Sequence, residues 1–232
     1  MMNFAAFEVL TFDCYGTLID WESGILAALS PVLAAHAVHL DDEPLLELYG
    51  ELEAEAESGE YLNYKTILKN VLLGIGERLN FSPTEQELEG FATSVKDWQP
   101  FADTVGALQA LKKKYQLAIV SNIDDELLAF SKAHLAIEFD WLITAEQVRS
   151  YKPSFNNFAQ ALARIGKPQD KILHVAQSIF HDIIPAKQLG LATVWVNRRH
   201  AKAGAGATKF AQDQADCAVN DLKSLVQMIG VD

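Results

Sequence analysis

Four short apolar runs in this chain each end in polar residues able to do chemistry. The run Val9 to Phe12 stops at Asp13 and turns at Gly16, Leu117 to Val120 stops at Ser121-Asn122, Trp141 to Ile143 is followed by Lys152, and Ile172 to Ala176 is followed by Gln177, Ser178 and Asp182. Singly, each has a plain structural reading. Asp13 caps a strand or forms an Asx turn, Ser-Asn is a turn, and Lys-Pro lies on a surface. Together they form a nucleophilic set. A carboxylate attacks, a lysine orients and neutralises it, and neutral donors hold an anionic substrate or a developing charge.

For these residues to meet, the four runs must be strands whose ends share one rim. Strands alternating with helical segments imply a parallel sheet, and in such sheets ligands bind at the carboxyl ends of the strands. Val9 to Phe12 has the apolar, β-favouring character of a central strand, taken to begin at Phe7. Downstream, helices are expected at Thr104 to Lys113, Asp124 to His134, Phe155 to Ile165, His181 to Leu189 and Asp221 to Ile229, with further strands at Ala192 to Val196 and Cys217 to Val219. Asp124-Asp125 reads as the cap of its own helix, and His174 as a packed histidine within a strand.

Between the first strand and the second, from Trp21 to about Trp98, the pattern is helical throughout. Ile25, Leu29, Val32 and Leu33 mark one helix, which Pro31 is expected to kink or break. Asp41-Asp42-Glu43-Pro44 opens a second with Leu45, Leu48, Leu52 and Ala56 as its apolar face. Its acids Glu47, Glu51, Glu53, Glu55 and Glu57 read as a solvated face. Tyr61 to Leu79 is a third helix, and Ser82-Pro83-Thr84-Glu85 opens a fourth with a capping-box arrangement. The chain is therefore read as an α/β domain formed by residues 1–20 plus 98–232, discontinuous in sequence and interrupted by a helical module at 21–97.

At 232 residues and 50% hydrophobic, the chain is long enough for a sizeable core. A formal net charge of −12 argues against nucleic acid and anionic membranes as partners. Cys14 and Cys217 are far apart and read as reduced thiols. No signal peptide and no membrane-spanning run is expected, so a soluble, cytoplasmic protein acting on a small molecule is the expectation, with a homodimer possible through an apolar face of the helical module.

These motifs resemble those of the haloacid dehalogenase superfamily over nearly the whole chain. Phe12-Asp13-Cys14-Tyr15-Gly16-Thr17-Leu18 resembles its first motif, Val120-Ser121-Asn122 the second, Tyr151-Lys152-Pro153 the third and Gln177 to Asp182 the fourth. The helical module resembles the inserted cap. The resemblance implies a Rossmann-like parallel sheet core with an α-helical cap domain, and a covalent intermediate on Asp13. Phosphatases of the superfamily use a second aspartate two residues after the nucleophile and Mg²⁺ held partly by an acid in the fourth motif. Here Tyr15 and Gln177 take those places, and an amide is a poorer Mg²⁺ ligand than a carboxylate.

The Asp-x-Tyr-Gly-Thr form is similar to the 2-haloacid dehalogenases, whose reaction needs no cofactor. That resemblance implies Asp13 as nucleophile and Lys152 as its partner. Thr17 and Asp182 orient the nucleophile, the lysine and the hydrolytic water, while Tyr15, Ser121, Asn122, Gln177, Ser178 and His181 face the substrate. His181 either enters the site as a base or caps its helix. The family's cap arginine has no counterpart in Leu48-Tyr49-Gly50-Glu51-Leu52, and the first arginine is Arg78. Lys65 and Lys69 could replace it, or form a solvated face. Phe158 stands where the family has an aromatic hydroxyl, and Ile179 where it has a small polar residue. A Mg²⁺-dependent phosphatase and a non-catalytic interaction protein are the rival readings.

Overall fold

The computed structural model describes residues 2–231. Strands β1 (Val9–Phe12), β2 (Gln116–Ser121), β3 (Trp141–Thr144), β4 (Ile172–Ala176), β5 (Ala192–Val196) and β6 (Cys217–Val219) form one sheet in the order β3-β2-β1-β4-β5-β6. Every neighbouring pair is parallel. All four residues of β1 are buried, as a strand covered on both faces requires. It begins at Val9 rather than Phe7. The chain leaves β1 for β2 on one side and reaches β4 on the other. The carboxyl end of β1, where Asp13 sits, therefore lies where the strand order reverses, the position at which such sheets open a crevice.

Helices α1 (Trp21–Ala35), α2 (Asp42–Glu57), α3 (Tyr64–Leu79) and α4 (Glu85–Thr93) stand between β1 and β2. Their starts follow from local chemistry. Asp20 accepts from the backbone of Ser23, Asn63 from that of Thr66, and Thr84 and Glu87 form a reciprocal capping box. The Asn63 cap starts α3 at Tyr64, later than the expected Tyr61. Pro31 does not break α1, because it lies on the helix's exposed side. The buried stripes of these helices join Leu10, Phe12, Leu117 and Ile119 of the sheet in one apolar core. Helices α5 (Thr104–Lys112), α6 (Asp125–Leu135), α7 (Ala145–Val148) and α8 (Phe155–Ile165) follow, and on the sheet's other face Val9, Ala118 and Ile172 pack with Phe158 and Ile165 of α8, the alternation expected of strands. No helix among the described residues is long and apolar enough to cross a membrane.

Two features tie the helices to the sheet. The outgoing and returning chain segments run side by side: Asp20 donates to the Gln99 carbonyl at 2.8 Å, Phe101 to the Leu18 carbonyl at 3.1 Å, and Ile19 bridges Pro100. On the far side, the connection after β5 lies against α1 and α2. Arg199 donates to both oxygens of Glu22 at 2.7 and 2.6 Å and to Glu43 at 2.5 Å, and the Gly206 amide donates to Glu43 at 3.0 Å. The approach is close enough that a Cβ on Gly50 of α2 would stand 2.6 Å from the Ala207 carbonyl oxygen.

Glu22 is 7% exposed, and Arg199 is its buried counter-charge, with the more exposed Lys202 ammonium adding a contact at 3.2 Å. Replacing Arg199 by Met is expected to lower the unfolding free energy by about 3 kcal/mol, the scale for stripping one partner from a buried ion pair. Arg199→Lys should recover part of it. Urea titration measures both, and an unchanged midpoint in Arg199→Met would show that the strap carries no stability.

Candidate active site

Asp13 leaves β1 with its amide donating to the Val175 carbonyl, which fixes the carboxylate over the gap between β1 and β4. Gly16, at φ +89°, turns the chain so that Thr17 folds back onto it. The Thr17 hydroxyl accepts from the Gln177 amide at 2.9 Å, so its proton is directed to Asp13 Oδ2, 2.6 Å away. The other carboxylate oxygen, Oδ1, accepts from Lys152 Nζ at 2.9 Å.

Lys152 is 2% exposed. Its ammonium also donates to Asp182 Oδ1 at 2.7 Å and to the Val120 carbonyl at 2.9 Å, which uses all three of its N–H groups. The peptide of Lys152 is clamped by Asn122, whose Oδ1 accepts from the Lys152 amide at 2.7 Å while its Nδ2 donates to the Lys152 carbonyl at 3.0 Å. Asn122 lines the cavity, but its amide is bonded mainly to this backbone.

Asp182 sits in a turn of π-helix, Ile179–Ile183, that precedes α9 (Ile184–Gln188). The expected helix from His181 to Leu189 is thus divided in two. Ser178 starts it by accepting from the His181 amide at 2.9 Å. Asp182 Oδ1 accepts a second bond from His174 Nε2 at 3.0 Å, and His174 Nδ1 accepts from the Thr11 hydroxyl at 2.9 Å. The ring is thereby held between the Asp182 carboxylate and the Thr11 hydroxyl. His174 is packed, as its sequence suggested, with the Phe158 edge against its ring, and it also holds the second carboxylate of the site.

Burial raises the Asp13 pKa, and the nearby Asp182 charge adds to this while Lys152 opposes it. Burial acts on Asp182 in the same direction, but Lys152 and His174 together hold it below the ordinary carboxylate range. The ammonium remains protonated because these two carboxylates outweigh its burial. Burial lowers the pKa of His181 to about 4, so its ring is neutral near pH 7.

Asp13, Ser121, Lys152, Ser178, His181 and Asp182 form the sheet side of a cavity of about 30 Å³. Two atoms in its wall are buried without a hydrogen-bond partner, Ser121 Oγ and Asp182 Oδ2. The helical side brings a correction. Glu53 and Glu57 do not lie on a solvated face. Both line this cavity, Glu53 being 4% exposed and the Glu57 side chain 6%. The buried stripe of α2 runs through Leu45, Leu46, Tyr49, Gly50 and Glu53, rotated from the Leu48–Leu52 face that composition suggests. Glu53 Oε1 accepts from Tyr49 at 2.8 Å and Tyr64 at 2.5 Å, and Glu57 Oε2 accepts from Asn122 at 3.1 Å. The spacing Tyr49-x3-Glu53-x3-Glu57 was the available signal, since i and i+4 share a helix face.

Three further expectations are changed. The Tyr15 ring lines the cavity, but its hydroxyl is bonded to Ser131 at 2.8 Å. The Gln177 side chain is not in the cavity wall and accepts from Thr208. Asp124 caps a different helix from its own, accepting from the Tyr64 and Lys65 amides at the start of α3 at 2.8 and 3.1 Å. Lys65 and Lys69 pair with Glu126 and Glu89 on the surface and are not among the lining residues. A wider space of about 440 Å³, lined by Tyr61, Arg149 and Lys209, adjoins the small cavity and shares Glu57, Lys152 and His181 with it.

A haloacid dehalogenase-like hydrolase family model matches residues 7–190. The chain belongs to that family. It is similar to (S)-2-haloacid dehalogenase H-109 of Pseudomonas putida, 27% identical over 217 residues that cover 89% of this chain and 94% of that protein. It is also similar to an (S)-2-haloacid dehalogenase of Pseudomonas fluorescens, 26% identical over 199 residues covering 82% and 84%. The L-2-haloacid dehalogenase structure from Xanthobacter autotrophicus superposes with a TM-score of 0.81 at 21% identity, covering 97% of this chain and 98% of that one. As a haloacid dehalogenase-like hydrolase, the chain has a parallel α/β sheet with surrounding helices in common with that structure.

Mg²⁺, which phosphatases of the superfamily require, does not fit these residues. The Lys152 ammonium stands between Asp13 and Asp182 and takes an oxygen of each. The position of a further metal acid is held by Gln177, turned to Thr208. Among the described residues no group of three or more His, Cys, Asp or Glu side chains is placed to hold a metal ion.

Replacing Lys152 by Met leaves Asp13 and Asp182 buried side by side without a counter-charge. The expected loss of stability is about 3–5 kcal/mol. Without the ammonium, both folded pKa values lie above their unfolded values near 4. The penalty is then full above the folded values and relieved as pH falls. Wild-type Asp182, whose folded pKa is depressed, loses stability over the same fall in pH. The gap between the two proteins should therefore narrow from pH 7 to pH 4.5 in urea titrations, and a constant gap would contradict the assigned charges.

Proposed function

We propose that Asp13 is the nucleophile of a hydrolase that attacks carbon, displaces halide from a small 2-haloalkanoic acid and passes through an ester, without a metal ion. The observation that carries the reading is the pairing of Asp13 with Lys152 and Thr17 while the Tyr15 hydroxyl is turned away to Ser131. One ammonium and one hydroxyl hold the carboxylate in a single orientation, which is the positioning an in-line displacement needs. At the position where a phosphatase of the superfamily carries its proton donor, this chain has a phenol committed elsewhere.

In the first step a carboxylate oxygen of Asp13 bonds to C2 and the halide leaves with its electron pair. Lys152 keeps its charge throughout and restrains the carboxylate. In the second step water adds to the ester carbonyl and the 2-hydroxy acid departs. The unpartnered Asp182 Oδ2 faces the cavity as an acceptor that orients this water. Ser121 Oγ, also unpartnered, is the open donor for the substrate. Residues 1–20 and 98–232 supply the nucleophile, lysine and water site, and residues 21–97 act as the cap that closes over them. The names of the similar Pseudomonas proteins support 2-haloacids as the substrate class.

The test is halide release from 2-chloropropionate in the presence of a chelator. Wild type should turn over, and Asp13→Asn should lose roughly ten-thousandfold or more, the scale for deleting a nucleophile. Phosphate release from p-nitrophenyl phosphate that requires Mg²⁺, with no halide release, would replace this reading by the phosphatase.

A further inference from the structure

The cavity contains two carboxyl groups that the mechanism above does not use, and they differ in a way that assigns them roles. Glu53 receives two phenolic O–H donors on one oxygen, and hydrogen bonds to a carboxylate favour its charged form. Glu57, one helical turn on, receives only the Asn122 amide and lies beside the Glu53 charge. Two neighbouring acids with unequal environments share their protons unequally, and such a pair marks the acid and the base of a site. The proton resides on Glu57. Burial and the Glu53 charge hold its pKa well above the usual range, while burial raises Glu53, against its two tyrosine donors, only to about 7.

The charged and titratable groups around Glu57 are Glu53, Tyr49 and Tyr64 from the helices and Lys152 and Tyr151 from the segment before α8. His181 from the π-helical turn, Asp13 and Asp182 across the cavity, and Tyr61, Arg149 and Lys209 at the adjoining opening complete them. Lys152 has no N–H to spare, and His181, whose Nε2 is 4.0 Å from Glu57, is neutral. Of the other described acids on the cavity wall, Glu53 has both phenolic donors directed at one carboxylate oxygen and Asp182 is held low by Lys152 and His174, which leaves Glu57 as the donor.

Resting on the dehalogenase reading, we infer that Glu57 is a catalytic acid, delivered by helix α2, that protonates the leaving group, so that the site accepts substrates with a basic leaving group such as fluoride. In the first step Asp13 bonds to C2, the carbon–halogen bond breaks toward the halogen, and Glu57 gives its proton to the departing halide, leaving as HX and a Glu57 carboxylate. In the second step water adds to the ester carbonyl and expels the hydroxy acid. The surplus proton returns to Glu57 while Asp13 regains its charge. Asp182 cannot retain that proton, because Lys152 and His174 hold its pKa low. The cycle balances as R–X plus water giving R–OH plus HX.

The experiment compares fluoride release from 2-fluoropropionate with bromide release from 2-bromopropionate, both by ion-selective electrode, in wild type, Glu57→Gln and Glu53→Gln. Bromide is a weak base and gains little from an acid, so the ratio of fluoride to bromide release should fall about 100-fold in Glu57→Gln. Fluoride release by wild type should decline as pH rises through the Glu57 pKa. Glu53→Gln removes the charge that retains the proton, so this decline should move to lower pH while the bromide profile stays in place. An unchanged ratio in Glu57→Gln overturns the inference alone. If circular dichroism shows that variant unfolded, the Glu53→Gln profile decides, and an unshifted fluoride limb overturns it. Wild type that releases neither halide overturns the dehalogenase reading and this inference with it.

Discussion

A single buried ammonium organises this protein. Lys152 is bonded to Asp13, Asp182 and a backbone carbonyl, and without it two carboxylates would be buried side by side at a strand end. Desolvating a charge is costly unless geometry and further bonds compensate, and here each partner is itself held. Thr17 fixes Asp13, His174 fixes Asp182, and Asn122 fixes the lysine's own peptide. The network draws on four strands, with Asp13 and Thr17 after β1, Asn122 after β2, Lys152 beyond β3 and His174 within β4, so the charge network and the sheet register define one another. Thr11 pairs with His174 across the sheet and bonds to its ring, which extends the network into β1 itself.

The charged members of that network are legible in the sequence because each follows an apolar run with β character. Asp13, Ser121, Lys152 and Asp182 were found by where runs end. Asn122 is marked by a run's end as well, and Thr17 by the motif resemblance, although the role of Asn122 toward the lysine's peptide is not legible there. His174 was recognised as buried, but its partner Asp182 lies on another element, and sequence offers no measure of that separation. The fold class was readable for the same reason as the strand ends. A period of alternating strands and helices leaves few ways to cover both faces of a sheet.

The helical side was read less well, and α2 shows why. Leu48 and Leu52 supply a plausible apolar face, so the acids beside them look solvated. The helix instead turns Tyr49, Gly50 and Glu53 inward, because Gly50 must meet the Ala207 backbone and Tyr64 offers Glu53 a hydroxyl. Periodicity reports the existence of a stripe, whereas its azimuth depends on partners distant in sequence. Asp124 misled in the same way. Its carboxylate looked like a local cap and serves as the cap of α3, which binds the helical block to the end of β2.

The paired crossings at Leu18–Asp20 and Gln99–Phe101 have a mechanical consequence. Two chain segments linked by cross-hydrogen bonds bend together as a ribbon, easily across its flat face and poorly within its plane. The helical block is thus joined to the sheet at two places, the paired crossings and the Arg199 contacts. Glu53 and Glu57 stand one turn apart on the same helix, so the two acids of the chamber of about 30 Å³ keep their alignment as a single rigid unit.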